Sequence, residues 1–248
     1  MRIAAFIALV AILIALVVGI ARAIVNEAPA QPSLQESTEP APPSSDASAQ
    51  ASAPAGPLAV GDPLPALTLT DAGGTAVNLR AAVAEQPVVL IFYRGGWCPY
   101  CNTHLAELGA GHEQIAATGW QVIAISPDAP EQLAATNNKH HLPYRLLSDA
   151  DASAIRAFGL AFTVDEATRD KYRGYNIDLE AASGHSHYQL PHPAVYLVDQ
   201  SGTIRYAHHN QDYKQRLSLA QVLSAIGAAM DQPAPSSDAP KPSEVKPQ

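Results

Sequence analysis

The sequence predicts an α/β domain built on a central mixed β-sheet flanked by helices. Val88 to Tyr93 and Val122 to Ile125 are continuous apolar runs, the pattern of strands covered on both faces. Between them Leu105, Leu108 and Ile115 recur at roughly helical spacing, so the order strand, helix, strand makes a βαβ unit. Two further stretches read as hairpins, which add antiparallel strands to that parallel core.

Taken in order, Ala66 to Thr70 alternates like a strand, Asp71 to Gly74 is turn chemistry, and Ala76 to Leu79 returns as the second arm of a hairpin. The strand Val88 to Tyr93 follows, then a helix from Cys98 to about Ala117, then the strand at Val122. Asp128 ahead of Pro130 and Glu131 is a helix-start signature for a helix to about His140. Leu142 to Leu147 gives a short extended piece, and Asp151 to Phe158 a helix closed by Gly159. Phe162 to Leu190 fits no single pattern and is expected to be a partly helical insertion. Val195 to Val198, the turn Asp199 to Gly202 and Thr203 to Ala207 form a second hairpin. Ser218 with Gln221 makes a capping box for a last helix, whose apolar face is Leu219, Val222, Leu223, Ile226 and Met230.

The ends of the chain differ in kind. Ile3 to Ala21 is an unbroken apolar or small run between Arg2 and Arg22, near the length that crosses a bilayer as a helix. Residues 1–25 are therefore expected to be a transmembrane anchor, or a signal peptide cut near Ala21-Arg22-Ala23. Residues 26–57, rich in Pro, Ala, Ser and Gln, cannot bury enough apolar surface to fold and read as a disordered linker. Residues 232–248 repeat that composition and read as a disordered tail, leaving 58–231 as one folded domain. The expected location is the periplasmic side of the inner membrane, with secretion after cleavage as the alternative. A net charge of −8 without any basic run argues against nucleic acid as a partner.

The only two cysteines are Cys98 and Cys101, in Trp97-Cys98-Pro99-Tyr100-Cys101, directly after a buried strand and the turn Arg94-Gly95-Gly96. Spaced three apart at a helix start, two thiols share one face and lie within disulfide reach. The free N–H groups there favour a thiolate and lower a cysteine pKa from about 8.5 toward neutrality. Pro99 suits the first helical turn, where its missing N–H is not needed. A structural zinc site wants four cysteine or histidine ligands, and no second Cys-x-x-Cys exists. A purely structural disulfide would close only a tiny loop. Redox chemistry is the reading that remains, and it calls for no cofactor. Arg94, at the strand end, is either solvated or a stabiliser of the thiolate. His185, His187, His192, His208 and His209 cluster in sequence, but nothing completes a tetrahedral metal set, so no metal is expected.

This order of elements resembles the thioredoxin-like superfamily, and specifically the peroxiredoxin branch known as the alkyl hydroperoxide reductase and thiol-specific antioxidant (AhpC/TSA) family. Ile125 to Glu131 and Lys139 to Asp149 are similar to the peroxiredoxin segment after the catalytic helix. The resemblance covers about Leu58 to Met230 and implies a thioredoxin-like fold with a peroxiredoxin-type N-terminal hairpin. Laid onto that family, Cys101 takes the peroxide-attacking position, Cys98 stands in place of a threonine, and Pro193 falls about where an arginine belongs. The replacements resemble thioredoxin instead, which implies that Trp97 flanks the first cysteine and that Pro193, held cis, shapes a docking groove with Pro99 and Tyr100. Thioredoxins also keep a buried acid six residues before the first cysteine, where this chain has Phe92.

The expected activity is thiol–disulfide exchange with a protein partner or thiol donor, Cys98 attacking and Cys101 resolving. Pro99-Tyr100 resembles the glutaredoxin dipeptide, which implies a potential of roughly −200 to −230 mV. The alternatives are a thiol-dependent peroxidase, with Cys101 attacking a hydroperoxide and Cys98 resolving, and a tethered binding module with inert cysteines.

Overall fold

The computed structural model describes residues 56–231; the expected anchor, nearly all of the linker and the tail lie outside the described residues. Nine strands and eight helices follow one another among them. The first hairpin is β1 (Thr68–Asp71) and β2 (Ala76–Asn78), with Leu69 opposite Val77. Its second arm ends one residue early. The Asn78 side chain accepts from the Ala81 N–H at 2.9 Å and starts α1 (Leu79–Glu85), a helix that the sequence does not announce and whose first residue, Leu79, reads there as the end of the strand.

The centre is β3 (Val88–Phe92), α2 (Pro99–Ala110), α3 (His112–Ala117) and β4 (Gln121–Ser126). The single helix expected from Cys98 to Ala117 is broken at Gly111. A Cβ there would press into the Leu219 side chain, so only glycine lets the C-terminal helix approach so closely. After β4 come α4 (Pro130–His140), β5 (Arg145–Ser148) and α5 (Ser153–Ala157). The insertion holds β6 (Ala161–Thr163), α6 (Glu166–Gly174), α7 (Leu179–Ser183) and β7 (Gln189–Pro191), with β6 and β7 paired as a separate two-stranded sheet. The chain closes with β8 (Ala194–Val198), β9 (Ile204–His209) and α8 (Leu219–Asp231). The capping box is present: the Ser218 N–H donates to Gln221 Oε1 at 2.8 Å.

The main sheet has the order β2-β1-β5-β4-β3-β8-β9, with β3, β4 and β5 parallel and the outer strands antiparallel. Both faces of β3 are buried, which is why its sequence shows no alternation. Val89, Ile91 and Tyr93 share one core with Cys98, Cys101, Leu105 and the α8 residues Val222 and Ile226. Val88, Leu90 and Phe92 point to a second core with Leu79, Val83, Ile155 and Phe158. The dithiol therefore sits on the first face, above the parallel centre of the sheet.

Candidate active site

Phe92 ends β3, and the chain must turn within the six residues Tyr93 to Cys98 to begin α2. Gly95 has φ +150°, a conformation side chains disfavour, and a Cβ on it would lie 2.7 Å from Asp128 Oδ1. A Cβ on Gly96 would clash with Thr136 of α4. The turn is pinned by hydrogen bonds on several sides. The Gly96 N–H donates to Asp128 Oδ2 at 2.7 Å, Asn102 Nδ2 donates to the Gly96 carbonyl at 2.8 Å, and the Cys98 N–H donates to the Gly95 carbonyl at 3.1 Å. Cys98 is left as the N-cap of α2, Pro99 opens its first turn, and Cys101 stands one turn inside. Both thiols are free, with Cys98 2 % and Cys101 0 % exposed.

The two sulfurs have opposite electrostatics. The Cys101 thiol, by hydrogen bonding to the Cys98 sulfur, pulls the Cys98 pKa down to about 6. Burial opposes that shift, while the Cys101 amide and the charges of Arg94 and Arg216 reinforce it. Cys101 is pushed well above the usual thiol range, first by burial and then by giving its proton toward Cys98. One cation touches it directly: Arg216 Nη2 donates to Cys101 Sγ at 3.3 Å. Near pH 7 the pair thus holds one thiolate at Cys98 and one thiol at Cys101.

Arg94 is not solvated. It is 5 % exposed, with its guanidinium 4.4 Å from the Tyr213 ring centre, 5.3 Å from Trp97 and 5.6 Å from Tyr172, and Nη2 donating to the Tyr172 hydroxyl. Trp97 packs on Tyr172 at 5.7 Å, and Tyr100, 45 % exposed, meets the Tyr213 ring edge-on at 5.6 Å. Helix α6 and the loop after β9 thereby supply aromatic walls around the charge that acts on Cys98.

Of the residues singled out in the sequence, Trp97, Pro99, Tyr100 and Arg94 gather around the dithiol. Pro193 lies buried just before β8 and lines a small cavity with His104, His208 and Arg216. Its expected cis bond is corrected: no peptide among the described residues is cis. His192 and Pro193 run from the end of β7 straight into β8, a path along which the chain stays trans. His185 stacks on His187 at 5.9 Å and His192 on Phe162 at 4.7 Å. Among the described residues no three histidines, cysteines or carboxylates converge as a metal-binding group.

Arg216, which the sequence offers only as a residue that helps close the rim of the site with Asp212 and Tyr213, reaches the second sulfur itself. Three site residues were not legible as such. In the sequence Asp128 has the place of a helix start, but the N-cap of α4 is Ala129, and the Asp128 carboxylate turns instead to Gly96 and to the Ser126 hydroxyl, at 3.1 Å. Burial raises Asp128 to about 6. Tyr93 looked like the last apolar residue of a strand, and its hydroxyl is buried beside the cysteines. His104, one turn beyond Cys101, is buried with Nε2 unpartnered, and burial lowers its pKa to about 4.

The model of the AhpC/TSA family matches residues 60–207. Peroxiredoxin Bcp of Escherichia coli (strain K12) is 34 % identical over 104 residues, 42 % of this chain and 66 % of that protein. Chloroplastic peroxiredoxin Q of Suaeda salsa is 31 % identical over 147 residues, 59 % of this chain and 58 % of that one. Peroxiredoxin bcp1 of Schizosaccharomyces pombe is 30 % identical over 102 residues, 41 % of this chain and 52 % of that one. The match thus spans between about half and two thirds of these relatives. Among solved structures, peroxidoxin BcpB of Mycobacterium tuberculosis aligns with a TM-score of 0.55 at 19 % identity, covering 71 % of this chain and 98 % of that one. Reduced Prx3 of Vibrio vulnificus in complex with hydrogen peroxide aligns at 0.57 and 19 % identity, covering 68 % and 99 %. With the sheet order, the dithiol at the start of α2 and a family match over most of the folded domain, this chain belongs to the AhpC/TSA family and carries its thioredoxin-like peroxiredoxin fold.

Proposed function

We propose that the chain is a thiol–disulfide oxidoreductase of the peroxiredoxin-like type, exported and tethered to the membrane by residues 1–25, working through the Cys98/Cys101 couple. The observation that carries this reading is the division of labour between the sulfurs. Cys98 is held as a thiolate near neutrality and Cys101 as a protonated neighbour, the state from which exchange begins. The Cys98 thiolate attacks a sulfur of a partner disulfide, and the first partner thiolate leaves. Cys101 then attacks Cys98 in the mixed disulfide, closing the intramolecular bond and releasing the second partner thiolate. The tether rests on the apolar run Ile3 to Ala21; among the described residues no helix is long and apolar enough to cross a membrane.

A second reading is thiol-dependent peroxidase, with Cys101 attacking a hydroperoxide and Cys98 resolving the sulfenic acid. The Arg216 contact favours it, because it brings a guanidinium to the sulfur at the position where the family's attacking cysteine falls. The test uses the full chain with Cys98→Ser and Cys101→Ser made separately, assayed for insulin disulfide reduction and for peroxide consumption with a thiol donor. Exchange predicts a trapped mixed disulfide in Cys101→Ser and an inert Cys98→Ser. Peroxide turnover that survives in Cys98→Ser and vanishes in Cys101→Ser would establish the peroxidase instead.

A further inference from the structure

Resolution of a mixed disulfide requires Cys101 to lose a proton from a site with no exposure. Arg216, the cation in contact with it, stabilises the thiolate but cannot accept a proton. The group six residues before Cys98 is Phe92, and it belongs to the core on the other face of the sheet. The dithiol face carries a different pair. Phe92 of β3 is in register with Ile125 of β4, so the next residues along, Tyr93 and Ser126, are neighbours across the parallel strands. Tyr93 shares the core cluster of Cys98 and Cys101, and Ser126 follows Val122 and Ala124 on that same face.

Two residues past Ser126 stands Asp128, 2 % exposed, joined to the Ser126 hydroxyl at 3.1 Å and to the Gly96 amide at 2.7 Å. The buried Tyr93 hydroxyl makes no hydrogen bond of ordinary geometry. Burial pushes its ionisation well above the ordinary range, the charges of Asp128, Cys101 and Tyr144 push it further, and Ser126 opposes them. On its other side Asp128 lines a cleft of about 210 Å³ with Gly96, Trp97, Gln132, Thr136 and Lys139. Tyr93 and Asp128 are thus the titratable groups placed between the face that carries the second cysteine and that cleft.

We propose that Tyr93 and Asp128 form the proton exit of Cys101. In the resolving step the Cys101 sulfur bonds to the Cys98 sulfur, the bond from Cys98 to the partner breaks, and the partner leaves as a thiolate with the electron pair. The Cys101 proton passes to the Tyr93 oxygen as the proton of Tyr93 passes to the Asp128 carboxylate, which releases it through the cleft. Two cysteines are oxidised and one partner disulfide is reduced. Burial holds Asp128 at about 6, so the carboxylate is ionised at neutral pH and free to accept. The other groups facing this pair are Cys98, Arg94 and Arg216 around the sulfurs, and Lys139 and His187 around Asp128.

This inference rests on the exchange reading, and one experiment separates the two. The reduced full chain is mixed with 5,5′-dithiobis(2-nitrobenzoate) in a stopped-flow instrument from pH 5 to 9. The first nitrothiobenzoate released reports attack by Cys98, and the second reports Cys101 resolving the mixed disulfide. The wild-type second step is expected to rise with pH and level off just above 6. Asp128→Asn and Tyr93→Phe are expected to slow it about tenfold or more at pH 7 and to turn the plateau into a rise that continues into alkali. Tyr93→Phe removes only a hydroxyl without a hydrogen-bond partner, so it decides alone if Asp128→Asn does not fold. Folded variants with a wild-type second-step profile would overturn the proton exit. A first release that persists in Cys98→Ser would instead overturn the exchange reading itself.

Discussion

Arg216 Nη2 donates to Cys101 Sγ at 3.3 Å, so the second cysteine has a cation in direct contact while Cys98 feels Arg94 and Arg216 through space. The contact opposes the effect of burial at Cys101 and favours its thiolate. A hydrogen bond to a charged group is worth about 1.5–3 kcal/mol, roughly a ten- to hundredfold effect. Arg216→Met is therefore expected to slow resolution of a mixed disulfide about tenfold or more at pH 7. Alkylation of Cys98 in a Cys101→Ser background changes far less, because Arg216 is the smallest of the influences on it. An unchanged resolution rate would show that the contact does not bear on Cys101 chemistry.

The rings of Tyr172 and Tyr213 hold the Arg94 guanidinium, and Arg94 helps lower the Cys98 pKa. Replacing both tyrosines by alanine loosens that charge, so the midpoint of Cys98 alkylation against pH moves upward. The shift is expected to be smaller than that of Cys101→Ser, which removes the largest cause. Each lost cation–π contact costs about 0.5–2 kcal/mol of stability, readable in a urea melt.

Asp149 accepts from the Ala154 N–H at 2.7 Å and the Ile155 N–H at 2.9 Å, closing the start of α5 from outside the helix. Asp149→Ala is expected to cost about 1–2 kcal/mol. Burial raises the carboxyl from its ordinary 3.8 to about 6, so its stabilising contribution is fully present below 3.8 and is lost as pH rises through 6. Urea melts should accordingly find the variant further below wild type at pH 4.5 than at pH 7.5. The reverse order would contradict the burial account.

Much of this was legible in the sequence because it is local. The apolar runs at Val88 and Val122, the turn glycines, the dithiol at a helix start and the Ser218/Gln221 box each declare themselves within a few residues. What stayed hidden depends on neighbours far along the chain. Leu219, from the far end of the chain, packs against Gly111 at the break, and Arg94 is buried because Tyr172 and Tyr213 come to it from two other segments. Helix α1 was masked because Leu79 continued the alternation of the strand before it. The position six residues before Cys98 could not supply an acid to the dithiol, since β3 turns Phe92 to the opposite face; only the pairing of β3 with β4 reveals Ser126 and Asp128 on the right one. The insertion was unreadable for the same reason, its two short strands pairing across two intervening helices.

The central claim is that Cys98 is the reactive thiolate and Cys101 its protonated partner. It is tested most directly by the rate of iodoacetamide alkylation against pH in the reduced full chain, with the modified residue identified by peptide mass. The account predicts modification at Cys98 with a midpoint near pH 6, moving toward the ordinary 8.5 in Cys101→Ser. Modification at Cys101 first, or a Cys98 midpoint above about 8 in the intact pair, would contradict it.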